Sequence, residues 1–314
     1  MINKRLYKYI NLPIKVVIGV GALIFIYFKI KDDFLLEIKA VNPERVNYIG
    51  LLFVFILMFL NWGIEAYKWK YVVRKSESIS LFKAMQYTFM GITAGILTPN
   101  RIAEIPVRAL LLNKSKFKEL TTKTLLASYS QMLATLFFGV ISLYGLGHFI
   151  PMQINSTFML IALSLLLIIL FYGYFNPKLL ISLFNRIPVV KSVGETLSDV
   201  NRKELLYMFT LSVIRYGVFS LQYFIILSAF GIHLNGLNSL LLIPLSFLLS
   251  SIIPTILLSE LGVRGSVAIL VFGLVSQEVS HIVFASISLW FINVAVPALF
   301  GLTHIRQLNL IQQS

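Results

Sequence analysis

The sequence contains no cysteine and few charged residues. Without thiols the chain can form neither disulfide bonds nor thiolate metal sites. Only 13% of its residues are charged, whereas 58% are hydrophobic, and a soluble domain usually has about 25% charged residues. The scarcity of charge excludes an ordinary soluble globular protein and indicates a chain that is surrounded by lipid, whereas the absence of cysteine says little about the compartment.

Four long runs contain no Asp, Glu, Lys or Arg, namely 46–64, 124–177, 216–259 and 279–305. A transmembrane helix needs about 20 apolar residues, so the first and last runs have room for one span each. The two longer runs have room for a helical hairpin each. The pattern predicts an all-α polytopic membrane protein.

The basic residues of the chain are concentrated in particular loops. The net charge of +14 is also typical of nucleic-acid-binding proteins. Basic residues cluster before residue 13, between 68 and 83, between 114 and 123, and between 178 and 203. Cytoplasmic loops of membrane proteins have such an excess of Lys and Arg. We therefore expect cytoplasmic N- and C-termini, anionic phospholipid at the basic loops, and no nucleic-acid partner.

The first apolar stretch, which ends at Phe28, follows the four basic residues Lys4, Arg5, Lys8 and Lys15. A cleaved signal peptide and an uncleaved first helix both begin this way. No small-x-small cleavage site follows Phe28, and further apolar runs come after it. We expect an uncleaved helix, which gives about six full spans in total.

Two segments do not fit as simple spans. Residues 81–113 begin and end among cytoplasmic lysines and are interrupted by Thr98-Pro99-Asn100, so they either cross twice or enter the membrane and return. Two full spans would need about 40 residues, which favours a re-entrant broken hairpin. Residues 239–277 have the same pattern, with helix breakers at Pro254 and Gly262 and both ends outside.

These two segments are similar to each other. "EIPVRALLL" from Glu104 aligns with "ELGVRGSVA" from Glu260 at an offset of 156 residues, with identical Glu, Val and Arg. The preceding spans, "NWGIEAYKW" and "RYGVFSLQY", align at an offset of 154. Chance matching among apolar residues is the alternative, but a shared Glu-x-x-x-Arg within the same order of spans favours a repeat.

The predicted organisation is one membrane domain over 1–314 that contains two repeats, 46–146 and 204–303. The first repeat starts outside and the second starts inside, so the two are inverted, as in many transporters with broken helices. Between them, residues 178–203 are predicted to form an amphipathic cytoplasmic connector on anionic lipid.

Four ionisable residues in the two broken hairpins need an explanation: Glu104, Arg108, Glu260 and Arg264. Each costs about 2.5–3.5 kcal/mol at the bilayer centre if it faces lipid. In each hairpin, Glu and Arg four residues apart share one helix face and can pair. The four residues are therefore either two structural ion pairs or part of a hydrophilic path for a lipid headgroup.

In the second case the arginines suit a lipid phosphate, because guanidinium forms bidentate hydrogen bonds with phosphate oxygens. The two glutamates suit a cationic or hydroxylated headgroup. Lys68 is expected to extend to the cytoplasmic surface instead. The predicted substrate-binding residues are Asn61, Glu65, Pro99, Asn100, Arg101, Glu104, Arg108, Arg215, Gln222, Glu260 and Arg264.

The stretches "GITAGILTPNRIAEIPVRALLL" and "PTILLSELGVRGSVAILVF" resemble signatures of the lysylphosphatidylglycerol synthase transmembrane-region family, also called the flippase-like domain family. The resemblance covers about Pro13 to Arg306. Ala103 replaces a glycine that is common in the family, and Arg264 stands where many members have an acid. Longer members add a soluble aminoacyl-transferase domain, whose chemistry we do not expect here.

The resemblance implies a lipid flippase of the bacterial cytoplasmic membrane. It would move an aminoacylated, glycosylated or isoprenoid-linked lipid between leaflets through a cavity between inverted halves. No catalytic or ATP-binding motif occurs and the four histidines lie at span ends or turns, so we expect no enzyme activity, cofactor or metal. The alternative is a membrane subunit or scaffold of a lipid-modifying enzyme or glycosyltransferase, in which Glu104 and Glu260 would serve acid–base roles.

Overall fold

The computed structural model describes residues 44, 46–96, 98–146, 154–177, 196–197, 200–253 and 260–304. The predicted first span and most of the predicted connector 178–203 lie outside these ranges. Within them the chain forms helices and no strand. In chain order these are α1 (Tyr48–Val73), α2 (Leu81–Gly95), a 3-10 turn (Pro99–Arg101), α3 (Glu104–Leu112), α4 (Phe117–Leu146), α5 (Ile154–Phe175), α6 (Arg202–Ala229), α7 (Gly236–Ile252), α8 (Glu260–Phe272), α9 (Val279–Trp290), a π-helical turn (Phe291–Ala295) and α10 (Val296–Thr303).

Among the described residues, five helical segments are long and apolar enough to cross a membrane. They are α1, α4, α5, α6 and the continuous segment from α9 through the π-helical turn to α10. The prediction of a polytopic α-helical membrane protein is therefore confirmed. The span in α5 is the most peripheral of the five, because only 17% of its residues are buried inside the protein.

Short polar residues begin several of these helices. The side chains of Asn47, Ser80 and Asn235 accept hydrogen bonds from backbone N–H groups in the first turns of α1, α2 and α7, which satisfies donors that have no partner inside the helix. Asn201 does the same for α6, and Glu204 bonds back to its N–H to complete a capping box.

The first predicted helix break is confirmed. α2 ends at Gly95 and α3 begins at Glu104, and between them Asn100 (φ 47°) and Arg101 (φ 55°) adopt the left-handed conformation. The hydroxyl of Thr98 donates to the Gly95 carbonyl at 2.9 Å and accepts from the Ala103 N–H at 3.1 Å. With 15 and 9 residues, α2 and α3 are each shorter than the roughly 20 residues of a full span.

The second break lies between α7, which ends at Ile252, and α8, which begins at Glu260. Pro254 lies outside the described residues. The prediction that Gly262 breaks the helix is wrong, because Gly262 lies within α8. A glycine inside a helix costs only about 1 kcal/mol relative to alanine, and the surrounding residues offset that cost.

The helices of residues 46–146 and 204–303 pack against each other in a crossed arrangement. α1 packs along α6, and this pair is the most extensively packed among the described helices. α2 packs against α3 but also against α10, whereas α7 packs against α8 but also against α4. The first helix of each broken hairpin therefore contacts the last helix of the other half.

Gly301 is essential to the contact between α2 and α10, and we expect Gly301→Ala to destabilise the protein by about 1–3 kcal/mol. A Cβ at this position would overlap the Phe89 carbonyl oxygen and the Thr93 hydroxyl. A backbone carbonyl inside a helix cannot move aside. The measurement is the midpoint temperature at which heated, detergent-solubilised protein loses its monodisperse chromatographic peak.

Two other glycines provide matched controls. A Cβ at Gly145 meets mainly the end of the Leu241 side chain, which can rotate, so Gly145→Ala should cost less than Gly301→Ala. A Cβ at Gly217 has no neighbour within 4 Å, and Gly217→Ala should not lower the midpoint. Equal midpoints for all three variants would contradict the assignment of a close contact to Gly301.

Candidate functional site

A cavity of about 370 Å³ lies between the two halves of the protein. We call it the central cavity. Both halves contribute polar side chains to its wall, although most of the surrounding helix surface is apolar. The wall consists of Asn61, Trp62, Asn100, Arg101, Gln131, Thr135, Arg215, Tyr216, Phe219, Phe247, Ser250, Ser251, Ile253, Glu260, Arg264, Leu289, Trp290, Asn293 and Val294.

The two broken hairpins meet at one part of this wall through Glu260. Within α8, the Arg264 Nη2 and Nε atoms each lie 3.1 Å from the Glu260 Oε1 atom. Arg101, from the turn between α2 and α3, places its Nη2 atom 3.8 Å from the same oxygen. One carboxylate oxygen is therefore shared by two guanidinium groups from different hairpins.

Arg215 of α6 connects the central cavity to α1. Its Nη1 atom lies 3.1 Å from the Glu65 Oε2 atom, and its Nε–H donates to the Asn61 side chain at 3.1 Å. Its guanidinium lies 4.8 Å from the centre of the Trp62 ring, within the range of a cation–π interaction. These contacts fix the orientation of Arg215 while part of its guanidinium remains on the cavity wall.

Behind the wall, Glu65 is surrounded by three cations. Besides Arg215, the Lys68 Nζ atom lies 3.0 Å from Oε2 of Glu65, and the Arg108 Nη1 atom lies 3.3 Å from Oε1. Arg108 also pairs with Glu104. Each of these charges has an opposite charge in contact, which is how a membrane protein tolerates ionised groups away from water.

The prediction that Lys68 extends to the cytoplasmic surface is wrong. Its side chain is 0% exposed, and its ammonium group donates to the Ser212 hydroxyl at 3.1 Å in addition to its pair with Glu65. The attraction of a buried carboxylate, together with the Ser212 hydroxyl, outweighs the hydration that Lys68 would gain at the surface.

Gly91 of α2 leaves room for the side chain of Arg108 in α3. A Cβ at Gly91 would lie 3.0 Å from the Arg108 Cγ atom and 3.1 Å from the Glu104 carbonyl oxygen, so α3 packs closely against α2 at this point. The side chain of Arg108 is thereby held between Glu104 and Glu65 and is only 2% exposed.

Two amide residues, Asn293 and Gln131, are among the cavity residues that the sequence prediction missed. The Asn293 side chain accepts from the Asn61 amide at 3.0 Å, and the Asn293 carbonyl accepts from the Trp62 indole N–H at 3.0 Å. Asn293 lies in the π-helical turn, a feature that often occurs at functional sites. The Arg215 Nη1 atom donates to the Oε1 atom of Gln131 in α4 at 3.4 Å. Both are amides in the middle of uncharged runs, which is the signal that would have identified them.

The structure brings about half of the predicted binding residues to the cavity wall. Asn61, Asn100, Arg101, Arg215, Glu260 and Arg264 line it, whereas Glu65, Glu104 and Arg108 form the network behind it. Gln222 donates to the Val54 carbonyl at 3.0 Å and holds α6 against α1. Pro99 lies in the 3-10 turn. The pairing of Glu104 with Arg108 and of Glu260 with Arg264 is confirmed, and substrate binding by these residues stays a prediction.

Comparisons with known proteins place this arrangement in a family. The curated proteins contain no match to this chain, and neither do the solved structures. A family model described as the lysylphosphatidylglycerol synthase TM region matches residues 13–301, which confirms the resemblance of the two signature stretches. The chain, a multi-pass membrane protein with a charged cavity between its halves, belongs to the lysylphosphatidylglycerol synthase TM-region family, whose membrane domains are linked to lipid modification or transport.

Proposed function

We propose that the protein is a lipid transporter of flippase type in the bacterial cytoplasmic membrane. The observation that supports this function best is the central cavity, because its wall has three arginines, a glutamate and several amides, in a chain whose described part has five helical segments long and apolar enough to cross a membrane. Such a cavity can surround a polar headgroup while the acyl chains stay in the bilayer. The protein would act without covalent chemistry, by exposing the cavity first to one leaflet and then to the other.

Pairwise contacts support an inverted repeat of residues 46–146 and 204–303. Asn61 and Arg215, which correspond at the offset of 154, are hydrogen-bonded to each other, as expected of equivalent residues beside a two-fold axis. Gly145 and Gly301 correspond at the offset of 156, and each contacts the first helix of the opposite broken hairpin. In this proposal six spans and two re-entrant hairpins surround the cavity, with both termini in the cytoplasm.

The three arginines of the wall would bind the phosphate of the headgroup, whereas Asn61, Gln131 and Asn293 would hydrogen-bond its polar substituents. Anionic phospholipids would bind at exposed basic residues such as Lys116 and Lys118, which lie at the start of α4. In this scheme the partner would be an enzyme that makes the transported lipid, since a flippase needs its substrate delivered to one leaflet.

A substitution that fills the cavity should stop transport without changing any charge. Thr135 lies on the cavity wall in α4, and we expect Thr135→Trp to lower the transport rate by about tenfold or more, because an indole occupies the space of the headgroup. The measurement is the loss of a fluorescent lipid from the outer leaflet of proteoliposomes, detected by dithionite quenching. Ile168→Trp, on the lipid-exposed face of α5, is the matched control and should transport normally.

The same assay separates the transporter from the alternative function. Transport by the wild type and by Ile168→Trp, but not by Thr135→Trp, supports the proposal. If the wild type moves none of a panel of anionic, zwitterionic and aminoacylated lipids, the proposal is wrong, and a scaffold or enzyme subunit becomes the better description.

A further inference from the structure

The described wall of the central cavity has an excess of positive charge. Arg101, Arg215 and Arg264 are on the wall, but Glu260 is its only described acidic residue. Three positive groups and one negative group leave two positive charges in excess. The segment between α7 and α8, residues 254–259, adds no ionisable residue to the sequence at this end of the hairpin.

The network behind the wall does not compensate this excess. It contains two acids, Glu65 and Glu104, and two bases, Lys68 and Arg108, so its formal charges cancel. Arg215 contacts Glu65, but Lys68 and Arg108 contact the same carboxylate. The contact therefore does not reduce the net positive charge of the wall and the network together. A net excess of two positive charges is costly in a low-dielectric environment, and an anion in the cavity would neutralise it.

The three arginines also have hydrogen-bonding capacity that their described contacts do not use. Each guanidinium has five N–H donors. Arg264 uses two of its nitrogens on Glu260, and the 3.8 Å separation of Arg101 from Glu260 is longer than a hydrogen bond. The three side chains are between 17% and 26% exposed, and all three border the same cavity. Guanidinium groups that are partly exposed and have unused N–H donors are suited to bind the oxygens of a phosphate.

We propose that the central cavity selects a phosphomonoester or diphosphate group, bound by Arg101, Arg215 and Arg264, and disfavours headgroups in which an amine neutralises the phosphate. This inference rests on the proposed function, and it specifies the chemical class of the transported lipid. A phosphomonoester has a charge of about −1.5 to −2 at pH 7, which matches the excess on the wall. A zwitterionic or aminoacylated headgroup brings a cation that Arg101 and Arg264 would repel, with only Glu260 to accept it.

Binding to purified protein in neutral detergent tests the selectivity directly. The probes are short-chain phosphatidic acid, short-chain phosphatidylcholine and inorganic pyrophosphate, each titrated by microscale thermophoresis. We expect phosphatidic acid to bind about tenfold or more tightly than phosphatidylcholine, which is the ratio expected from one additional charge-assisted hydrogen bond. If pyrophosphate competes with phosphatidic acid, the phosphate group alone is sufficient for binding. If pyrophosphate does not compete, the lipid portion is also required.

Substitutions of Arg264 test whether the arginines of the cavity wall cause the phosphate selectivity. Arg264→Gln should weaken phosphatidic acid binding by about tenfold and leave phosphatidylcholine binding unchanged, since it removes a charge-assisted donor. Arg264→Lys keeps the charge and should retain part of the affinity, which guards against a merely misfolded Gln variant. Arg202→Gln makes the same chemical change at an exposed residue that bonds to Asn176, and it should behave as the wild type.

The inference and the proposed function fail in different ways. Equal affinity for phosphatidic acid and phosphatidylcholine, or equal loss in Arg264→Gln and Arg202→Gln, overturns the phosphate selectivity even if lipids are transported. Selective phosphate binding without movement of any lipid between leaflets leaves the cavity assignment intact and contradicts the flippase function.

Discussion

Replacing Glu65 by glutamine should destabilise the protein by about 3–5 kcal/mol. The carboxylate contacts Lys68, Arg108 and Arg215, all within 3.3 Å. Glutamine has nearly the same shape, so the change tests charge and not packing. Three neighbouring cations would then share a neutral amide, and only Glu104, beside Arg108, would remain to compensate them.

The expected loss corresponds to a decrease of the apparent Tm on the order of 10 °C, measured by heating the protein in detergent. Glu278→Gln is the matched control, because Glu278 is exposed at the start of α9 and His281 is its only ion-pair partner among the described residues. Exposed pairs contribute about 0–1 kcal/mol, so this variant should melt within a few degrees of the wild type.

A second substitution distinguishes lost charge compensation from other causes. Lys68 contacts Glu65 and Ser212, so Glu65→Gln combined with Lys68→Met removes one anion and one cation together. We expect the double variant to be more stable than Glu65→Gln alone, since neighbours in one ion-pair network are coupled by about 0.5–3 kcal/mol. If the double variant melts lower than Glu65→Gln, the network does not stabilise the fold by charge compensation.

Local features of this fold could be predicted from the sequence. The break at Thr98–Asn100 follows from a proline beside residues that tolerate a left-handed turn, and the structure contains that turn at Asn100 and Arg101. The pairs Glu104–Arg108 and Glu260–Arg264 follow from their spacing of four on a helix. In each case the cause and the effect lie within one turn or one helix.

Contacts between distant elements could not be predicted in the same way. Glu65 meets Arg108 and Arg215 only because α1 packs against both α6 and the hairpin of α2 and α3. Without that packing, Lys68 has no reason to stay buried, which is why the sequence favoured the membrane surface. The contacts of Asn293 could not be predicted for the same reason, since its partners Asn61 and Trp62 are more than 200 residues away in sequence.

Arg108 should prove essential for folding but not for the recognition of lipid. It is buried between Glu104 and Glu65 and does not line the central cavity. Arg108→Met removes the only described basic partner of Glu104, and we expect a loss of about 3–5 kcal/mol. Glu104→Gln leaves Arg108 paired with Glu65, so its cost should be smaller. The two single variants and the double variant form a thermodynamic cycle that is measured by the same thermal assay.

Transport by the double variant then separates a structural ion pair from a headgroup site. Glu104→Gln combined with Arg108→Met removes both charges, so neither partner remains unpaired and folding should recover in part. Assayed well below its Tm, this variant should transport lipid at a rate within about threefold of the wild type, because the wall arginines are unchanged. If the double variant is well folded but does not transport lipid, Arg108 lies in the lipid path, as the sequence alone suggested. Retained transport would leave Arg101, Arg215 and Arg264 as the cations that contact the phosphate.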